Sequence, residues 1–400
     1  MGRKIFANAG DDATANVKQA TRIVDGGDFS VTPVVNLDQG DPTVFEPYWR
    51  KAGERCSITF KGDQCLSYLT NPKALCWFME PKLEEEIKKV HRIVGNAKVD
   101  DHHLVVGNGS SQLILAALYA LCSPNHHTQP HPIDVVSAAP YYSTYQEEVD
   151  LLCSALFRWA GDAHQYDNKD EPYIELITSP NNPNGVIREP VVNRPGGRLI
   201  HDLAYYWPQY TAITSQLDHD IMLFTASKCT GHAGSRIGWA LVRDEEVAKK
   251  MVKFIEVNSI GVSKESQLRT AKILSVASES CQEKGLNNFF LYGRHVMANK
   301  WKKLREIVKK HQRFIIPKYP LQYCQFSKDY VEASPAYAWM SCKFENMEDQ
   351  DCEKILKDQN VIVRSGSRFG SDSKHARVSM LSREDDFNVF LQRLSAISKA

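Results

Sequence analysis

Between residues 83 and 242 the chain switches repeatedly between helical periodicity and short apolar runs, and most of the runs end in a polar cluster. Residues 83–94 place apolar side chains at helical spacing. Residues 104–106 form an apolar run that ends in Gly107-Asn108-Gly109, and residues 112–121 read as an apolar helix. A run at 133–137 stops at Pro140. A run at 173–177 stops at Pro180-Asn181-Asn182-Pro183-Asn184-Gly185. The run at 199–200 leads into His201-Asp202, and the run at 221–224 leads into Thr225-Ala226-Ser227-Lys228. A last run at 237–242 precedes helices that begin near Asp244. Short, continuously apolar strands separated by helices are what a sheet buried on both faces requires, and such sheets are mostly parallel. The chain is therefore predicted to be α/β.

The remainder divides around that block. Residues 245–312 are mainly helical. From about 332 the pattern predicts a strand at 336–344, a helix at 347–358, a strand at 361–364 ending at Gly366, a strand at 377–381 and a closing helix at 384–397. A chain of 400 residues exceeds what one core usually holds. We read 1–33 as an N-terminal arm without periodicity and 34–75 as a segment that packs with the smaller domain. Residues 76–310 form the large domain, a mostly parallel sheet between helices. Residues 311–400 form a smaller α+β domain.

Ligands of open parallel sheets sit at the carboxyl ends of the strands, so the residues found there carry the functional reading. In chain order they include Gly109-Ser110-Ser111, Tyr142, Asn182, Asp202 with Tyr205, and Thr225, Ser227 and Lys228 with Arg236. Together they match the needs of pyridoxal phosphate. A phosphate is held by the N–H groups of a helix start, by hydroxyls and by an arginine. Gly109, Ser110 and Ser111 open a helix, and Thr225, Ser227 and Arg236 supply the rest. A pyridine nitrogen that must stay protonated needs a carboxylate, for which Asp202 is placed. A phenolic oxygen takes donors from Asn182 and Tyr205. A flat ring takes an aromatic face, for which Tyr142 competes with Tyr141 and Tyr145. An aldehyde takes an amine, Lys228.

These residues carry a resemblance. The stretches Val35-Asn36-Leu37-Asp38-Gln39-Gly40-Asp41-Pro42-Thr43, Leu75-Cys76-Trp77-Phe78-Met79-Glu80-Pro81, Ser179-Pro180-Asn181-Asn182-Pro183, His201-Asp202-Leu203-Ala204-Tyr205-Tyr206-Trp207-Pro208, Ser227-Lys228 through Gly231-His232-Ala233-Gly234-Ser235-Arg236-Ile237-Gly238-Trp239, and Arg377-Val378-Ser379-Met380-Leu381-Ser382-Arg383-Glu384 resemble fold-type I pyridoxal-phosphate enzymes. Within them the chain is similar to the alliinase-like group and its plant tryptophan aminotransferases. The resemblance runs from about residue 34 to the C-terminus. It implies an aspartate-aminotransferase-like fold and Lys228 as the catalytic residue. It also implies Arg377, with Gly40 and Asn182, as the substrate grip, and a homodimer in which Tyr68 reaches the partner's phosphate. Arg364, Arg368 and Arg383 are competitors of Arg377 nearby. The implied reaction converts L-tryptophan and pyruvate to indole-3-pyruvate and L-alanine, a step toward auxin. Alternatives are a C–S lyase acting on S-alkyl cysteine sulfoxides, or an aminotransferase of broad aromatic or methionine specificity. Tyr48, Trp49 and Phe369 are candidates for lining a side-chain pocket. No cysteine-rich module stands in residues 1–33, which favours transamination over the lyase.

Other classes are set aside on charge and pattern. Forty-nine basic and 48 acidic residues leave a formal charge of +1, giving no electrostatic reason to expect nucleic acid or an anionic membrane. Residues 1–30 lack the apolar core of a secretory signal, and no run approaches the length of a membrane span. A cytoplasmic, soluble enzyme is expected. The ten cysteines form no C-x-x-C pair and are read as buried thiols. Gly107-Asn108-Gly109 continues to Gln112 rather than to a third glycine, so a dinucleotide loop is rejected. His102, His103, His126, His127 and His131 are read as surface histidines, and no metal is expected.

Overall fold

Val35–Asn36 (β1) opens the ordered part of the chain, and its partner lies 326 positions away. It pairs in parallel with Val361–Ile362 (β13). The computed structural model describes residues 33–122, 131–168, 171–311, 313–343 and 351–397. All but Pro33 of the predicted arm lies outside the described residues.

The apolar runs form one seven-stranded sheet. Its strands are His103–Gly107 (β2), Ile133–Ser137 (β3), Phe157–Asp162 (β4), Tyr173–Thr178 (β5), Gly197–Asp202 (β6), Ile221–Thr225 (β7) and Gly238–Val242 (β8). The order is β2-β8-β7-β6-β5-β3-β4. The pairs from β7 through β6, β5 and β3 to β4 are parallel, while β8 runs antiparallel to both β2 and β7. The reversed β8 carries the chain directly back from the site after Lys228, without a crossover helix. Strands β3, β5, β7 and β8 are buried at every position, as their mainly apolar sequence requires; the acids within them, Asp134 and Glu175, are buried with hydrogen-bond partners.

Helices cover the sheet because their apolar faces match it. In Pro81–Val94 the buried positions include Leu83, Ile87, Val90 and Val94, a stripe at three- and four-residue spacing. The helix ends at Gly95, whose φ of 73° suits the left-handed cap. The Gly109–Cys122 helix is apolar on most faces because it packs between the sheet strands and the Glu245–Ser259 helix. Lys264–Ser280 packs on Pro81–Val94, and Phe289–His311 runs on toward a second sheet.

That second sheet contains Phe314–Ile315 (β9), Tyr337–Cys342 (β12), Arg364–Ser365 (β14) and His375–Ser379 (β15), ordered β14-β15-β12-β9. A separate hairpin pairs Leu321–Cys324 (β10) with Asp329–Glu332 (β11). Cys352–Lys357 and Glu384–Ala396 are its helices. In β12 and β15, Trp339 stands opposite Arg377. The predicted strand at 336–344 and helix at 347–358 are shorter among the described residues, and 344–350 lie outside them. The cysteines depart from expectation. Cys342 and Cys352 form a disulfide, because the end of β12 and the start of a helix bring their Cα atoms to 5.5 Å.

Burial also changes the reading of one histidine. His102 is buried, with Nε2 against the His219 carbonyl at 3.0 Å, so it is no surface residue. His126 and His127 lie outside the described residues. His91 sits in the core. Trp239 Nε1 donates to its Nε2 at 2.9 Å, so Nδ1 carries the proton toward Asn96 Oδ1 at 2.8 Å. Burial holds His91 down to about 4, against the Asn96 hydrogen bond. Burial likewise lowers His232 to about 4 and His201 to about 3.

An unfolded histidine takes up its proton near pH 6.5, whereas these three resist it until well below pH 5. Below about pH 6.5 the unfolded chain therefore binds more protons, and stability is lost as pH falls. His91 alone contributes a loss on the order of 3 kcal/mol by pH 4. Glu148, pushed up by burial to about 8, works in the opposite sense, as do Asp202, Glu175 and Glu353, whose carboxyls burial also raises, while His219, lowered by burial, adds to the loss. The urea midpoint is expected to fall between about pH 6.5 and pH 5. An equal midpoint at both values would contradict the buried neutral imidazoles.

Candidate active site

Lys228 stands on Ala226–Cys229, a single helical turn that follows β7. Thr225 caps that turn by accepting from the Ser227 N–H. The backbone behind the lysine is held from another segment: Gln209 Nε2 donates to the carbonyls of Lys228 and Cys229, and Tyr210 Oη donates to that of Lys228. The side chain is the free part, and its Nζ donates to the Gly40 carbonyl.

Ten of the fourteen residues named from sequence line one cavity of about 160 Å³: Ser110, Ser111, Tyr142, Asn182, Asp202, Tyr205, Thr225, Ser227, Lys228 and Arg236. Gly109, Gly40 and Arg377 border it. Tyr68 does not. It is 62% exposed, with its ring 6.1 Å from that of Trp77. Larger hollows exist, such as one of about 820 Å³ between residues 43 and 385, but its lining is largely polar and charged side chains without a buried lysine–carboxylate pair.

At one end the cavity is shaped for an anion. The Gly109–Cys122 helix starts there, and Gly109 has a φ of 77°. A Cβ on Gly109 would lie 2.6 Å from Arg236 Nη2, so the guanidinium covers the helix start. A Cβ on Gly238 would lie 2.7 Å from the Gly109 carbonyl carbon, so β8 must pass as bare backbone. Helix N–H groups, serine hydroxyls and an arginine converge on one point, as phosphate requires.

Across the cavity Asp202 ends β6, almost fully buried. Tyr145 Oη donates to its Oδ2 at 3.1 Å and the Ala204 N–H to its Oδ1 at 3.1 Å. Burial raises the carboxyl, while those hydrogen bonds and the Lys228 charge pull the other way. Among the described residues no cation pairs with it. A protonated ring nitrogen would supply the missing charge. The donor set thus fits pyridoxal phosphate at both ends.

The arginines near the second sheet are sorted by their partners. Arg364 forks onto Asp38, Arg368 pairs with Glu147, and Arg383 with Glu46. Arg377 is 2% exposed and has no carboxylate among the described residues. Its Nη1 donates to Asn182 Oδ1 at 3.0 Å and its Nη2 to the Asp38 carbonyl at 2.6 Å, while its Nε has no partner. Its guanidinium carbon lies 4.1 Å from the Tyr337 ring centre and 5.1 Å from that of Phe369. Two aromatic rings and neutral acceptors therefore hold an uncompensated cation.

Of the three aromatic candidates, Phe369 flanks Arg377. Trp49 packs its ring against His232, with Nε1 on the Thr230 carbonyl. Tyr48 is buried and turned to the Asn287 carbonyl, away from the cavity. Sequence reasoning weighed Tyr145 only as a ring-face rival of Tyr142 and missed Thr178; the two hold one another at 2.6 Å behind Asp202. It also missed Tyr337, whose hydroxyl lies 3.0 Å from that of Tyr205. Thr178 is the last residue of β5, one position past the predicted strand end.

Solved structures share this fold. An Escherichia coli protein described as having a methionine aminotransferase function superposes with a TM-score of 0.64 at 14% identity, covering 91% of this chain and 93% of its own. Aspartate aminotransferase of Thermotoga maritima gives 0.60 at 19% identity, with 91% of each covered. Fold and cavity define a pyridoxal-phosphate enzyme of the aspartate-aminotransferase type. A family model described as "Allinase" matches residues 35–398, and the chain belongs to that family. It is 52% identical to "Tryptophan aminotransferase-related protein 2" of Arabidopsis thaliana over 364 residues, which are 91% of this chain and 81% of the relative. It is 47% identical to "Tryptophan aminotransferase-related protein 1" of Oryza sativa subsp. japonica over 411 residues, covering 100% and 91%. "Alliin lyase" of Allium cepa is 36% identical over 372 residues, covering 91% and 76%.

Proposed function

We propose that the protein is an aminotransferase converting L-tryptophan and pyruvate to indole-3-pyruvate and L-alanine. The observation that carries an α-amino acid and 2-oxo acid substrate pair is Arg377, a buried cation without a carboxylate beside Lys228's cavity. The tryptophan preference is supported by the names of the relatives at 47% and 52% identity.

Pyridoxal phosphate, when bound, supplies an electron sink for the bond broken at the substrate Cα. Lys228 would carry the cofactor and, once freed, move the proton at Cα as base and acid. Asp202 would hold the ring nitrogen charged, with Tyr145 and the Ala204 N–H keeping the carboxylate oriented. Asn182 and Tyr205 would serve the ring oxygen, and Tyr142 one ring face. Gly109, Ser110, Ser111, Thr225, Ser227 and Arg236 would hold the phosphate. Arg377, with Asn182 and the Gly40 backbone, would grip the substrate carboxylate.

The functional unit in this reading is a homodimer, in which the exposed Tyr68 reaches the partner's cofactor. No described helix is long and apolar enough to cross a membrane, and we place the enzyme in the cytoplasm. The division into a large domain at 76–310 and a smaller one at 311–400, with 34–75 joining the latter, belongs to the same reading. It is supported by the β1–β13 pairing.

The 36% identity to alliin lyase favours one alternative, C–S lysis. A product assay separates them. With L-tryptophan, indole-3-pyruvate and alanine are expected only when pyruvate is added. Release of pyruvate and ammonia from S-allyl cysteine sulfoxide, with no tryptophan turnover, would make the enzyme a lyase.

A further inference from the structure

Tyr337 stands at the start of β12, fully enclosed. Its position is fixed by three neighbours. A Cβ on Gly40 would lie 2.2 Å from the Tyr337 hydroxyl oxygen and 3.1 Å from Lys228 Nζ, so both atoms crowd the same bare glycine. The Tyr205 hydroxyl is 3.0 Å away, and the Arg377 guanidinium stacks 4.1 Å from the ring centre. One side chain therefore touches the resting place of the lysine amine, the tyrosine at the cofactor oxygen and the carboxylate grip.

The hydroxyl also ends a short chain of hydrogen bonds. Asn182 Nδ2 donates to Tyr205 Oη at 3.5 Å, and the Tyr205 and Tyr337 hydroxyls share a hydrogen bond at 3.0 Å. Burial pushes Tyr205 well above the usual tyrosine range, and a neighbouring phenolate at Tyr337 adds to that. Burial would raise Tyr337 as well, but the Lys228 and Arg377 charges, the Tyr205 hydrogen bond and Arg364 outweigh it and hold the phenol below its ordinary value. The titratable groups facing it are thus Lys228, Arg377 and Arg364, with the phenols of Tyr205, Tyr142 and Tyr210.

We propose that Tyr337 is a positioning residue for proton transfer at the substrate Cα: its hydroxyl fixes the freed Lys228 amine against Gly40, and its ring fixes the plane of Arg377. The proposal rests on the pyridoxal-phosphate aminotransferase reading above. A lysine has four side-chain torsions, all of which must be fixed before its amine can act at one atom. A misplacement of about 1 Å at a reacting group costs roughly 10²-fold in rate. A fixed oxygen beside the amine addresses both.

Two variants separate hydroxyl from ring. Tyr337→Phe keeps the platform under Arg377 and removes the oxygen, whereas Tyr337→Leu removes both. Each is loaded with pyridoxal phosphate, its cofactor stoichiometry is measured, and the cofactor's visible band is titrated against pH. In Tyr337→Phe the band midpoint is expected to shift by about one pH unit. Its kcat is expected to fall about tenfold, with KM for the amino acid within about threefold. Tyr337→Leu is expected to add a rise of about tenfold in KM, from a guanidinium that has lost its cation–π contact. A Tyr337→Phe enzyme with the parent midpoint and kcat would overturn the proposal and leave Tyr337 as packing. If the parent enzyme cleaved the sulfoxide rather than transaminating, the functional reading would fall. The band midpoint would still report on Tyr337.

Discussion

Lys228→Ala is expected to abolish the visible absorbance of the lysine-bound cofactor and to lower kcat by at least about 10⁴-fold. The size follows from two duties on one amine. In the proposed mechanism it carries the cofactor and then moves the Cα proton, so its loss removes both the covalent anchor and the base. The fold should survive. Lys228 is held by its backbone, through Gln209 and Tyr210, and its side chain contributes a single hydrogen bond to Gly40. Circular dichroism and the urea midpoint should therefore match the parent while absorbance and turnover vanish. A Lys228→Ala enzyme that transaminated normally would move the catalytic assignment elsewhere.

Arg377→Lys is expected to lower kcat/KM by about 10²-fold, for the amino acid and the 2-oxo acid alike. Both substrates present the same carboxylate, and both take their turn at one grip. Lysine keeps the charge but not the planar fork that now spans Asn182 Oδ1 and the Asp38 carbonyl. Arg368→Ala is the contrast. Its partner Glu147 is 61% exposed at the side chain, and the pair lies outside the cavity. That variant should stay within about twofold of the parent, as exposed pairs contribute little. If the two variants behaved alike, the carboxylate would be bound elsewhere.

Much of this arrangement could be read before any coordinates, for a reason visible in particular strands. Strands β3, β5 and β7 are buried throughout, so they are spelled as mainly apolar runs, broken only by the buried Asp134 in β3 and Glu175 in β5. The residues just after them are polar because they face a ligand rather than a core. Asn182 and Lys228 follow two of these strands and Asp202 ends β6, and it was their order along the chain, taken together, that pointed to a cofactor. Where the contrast is missing, the reading failed. Strand β4 is an edge strand with half-exposed positions, and its Arg158 and Asp162 hid it. Tyr337 opens β12, where a buried tyrosine is spelled like any core aromatic. Tyr145 was noticed only as a rival to Tyr142, since its link to Asp202 spans 57 residues. The choice among four arginines could not be made from spacing. It depended on which of them Asp38, Glu46 and Glu147 already occupied.

The pairing of β1 with β13 sets a timetable for synthesis. At roughly 5–20 residues per second, the 326 positions between Val35 and Val361 take about 15–65 s to translate. Through that interval Asp38 and Gly40 exist without Arg364, Arg377 or β13. The growing chain can complete the large sheet, with Asp202 and Lys228 in place, well before the carboxylate grip is made. A nascent enzyme would thus acquire its cofactor cradle first and its substrate selectivity last. The unpaired strand is only two residues long, which leaves little edge for another chain to join during the wait.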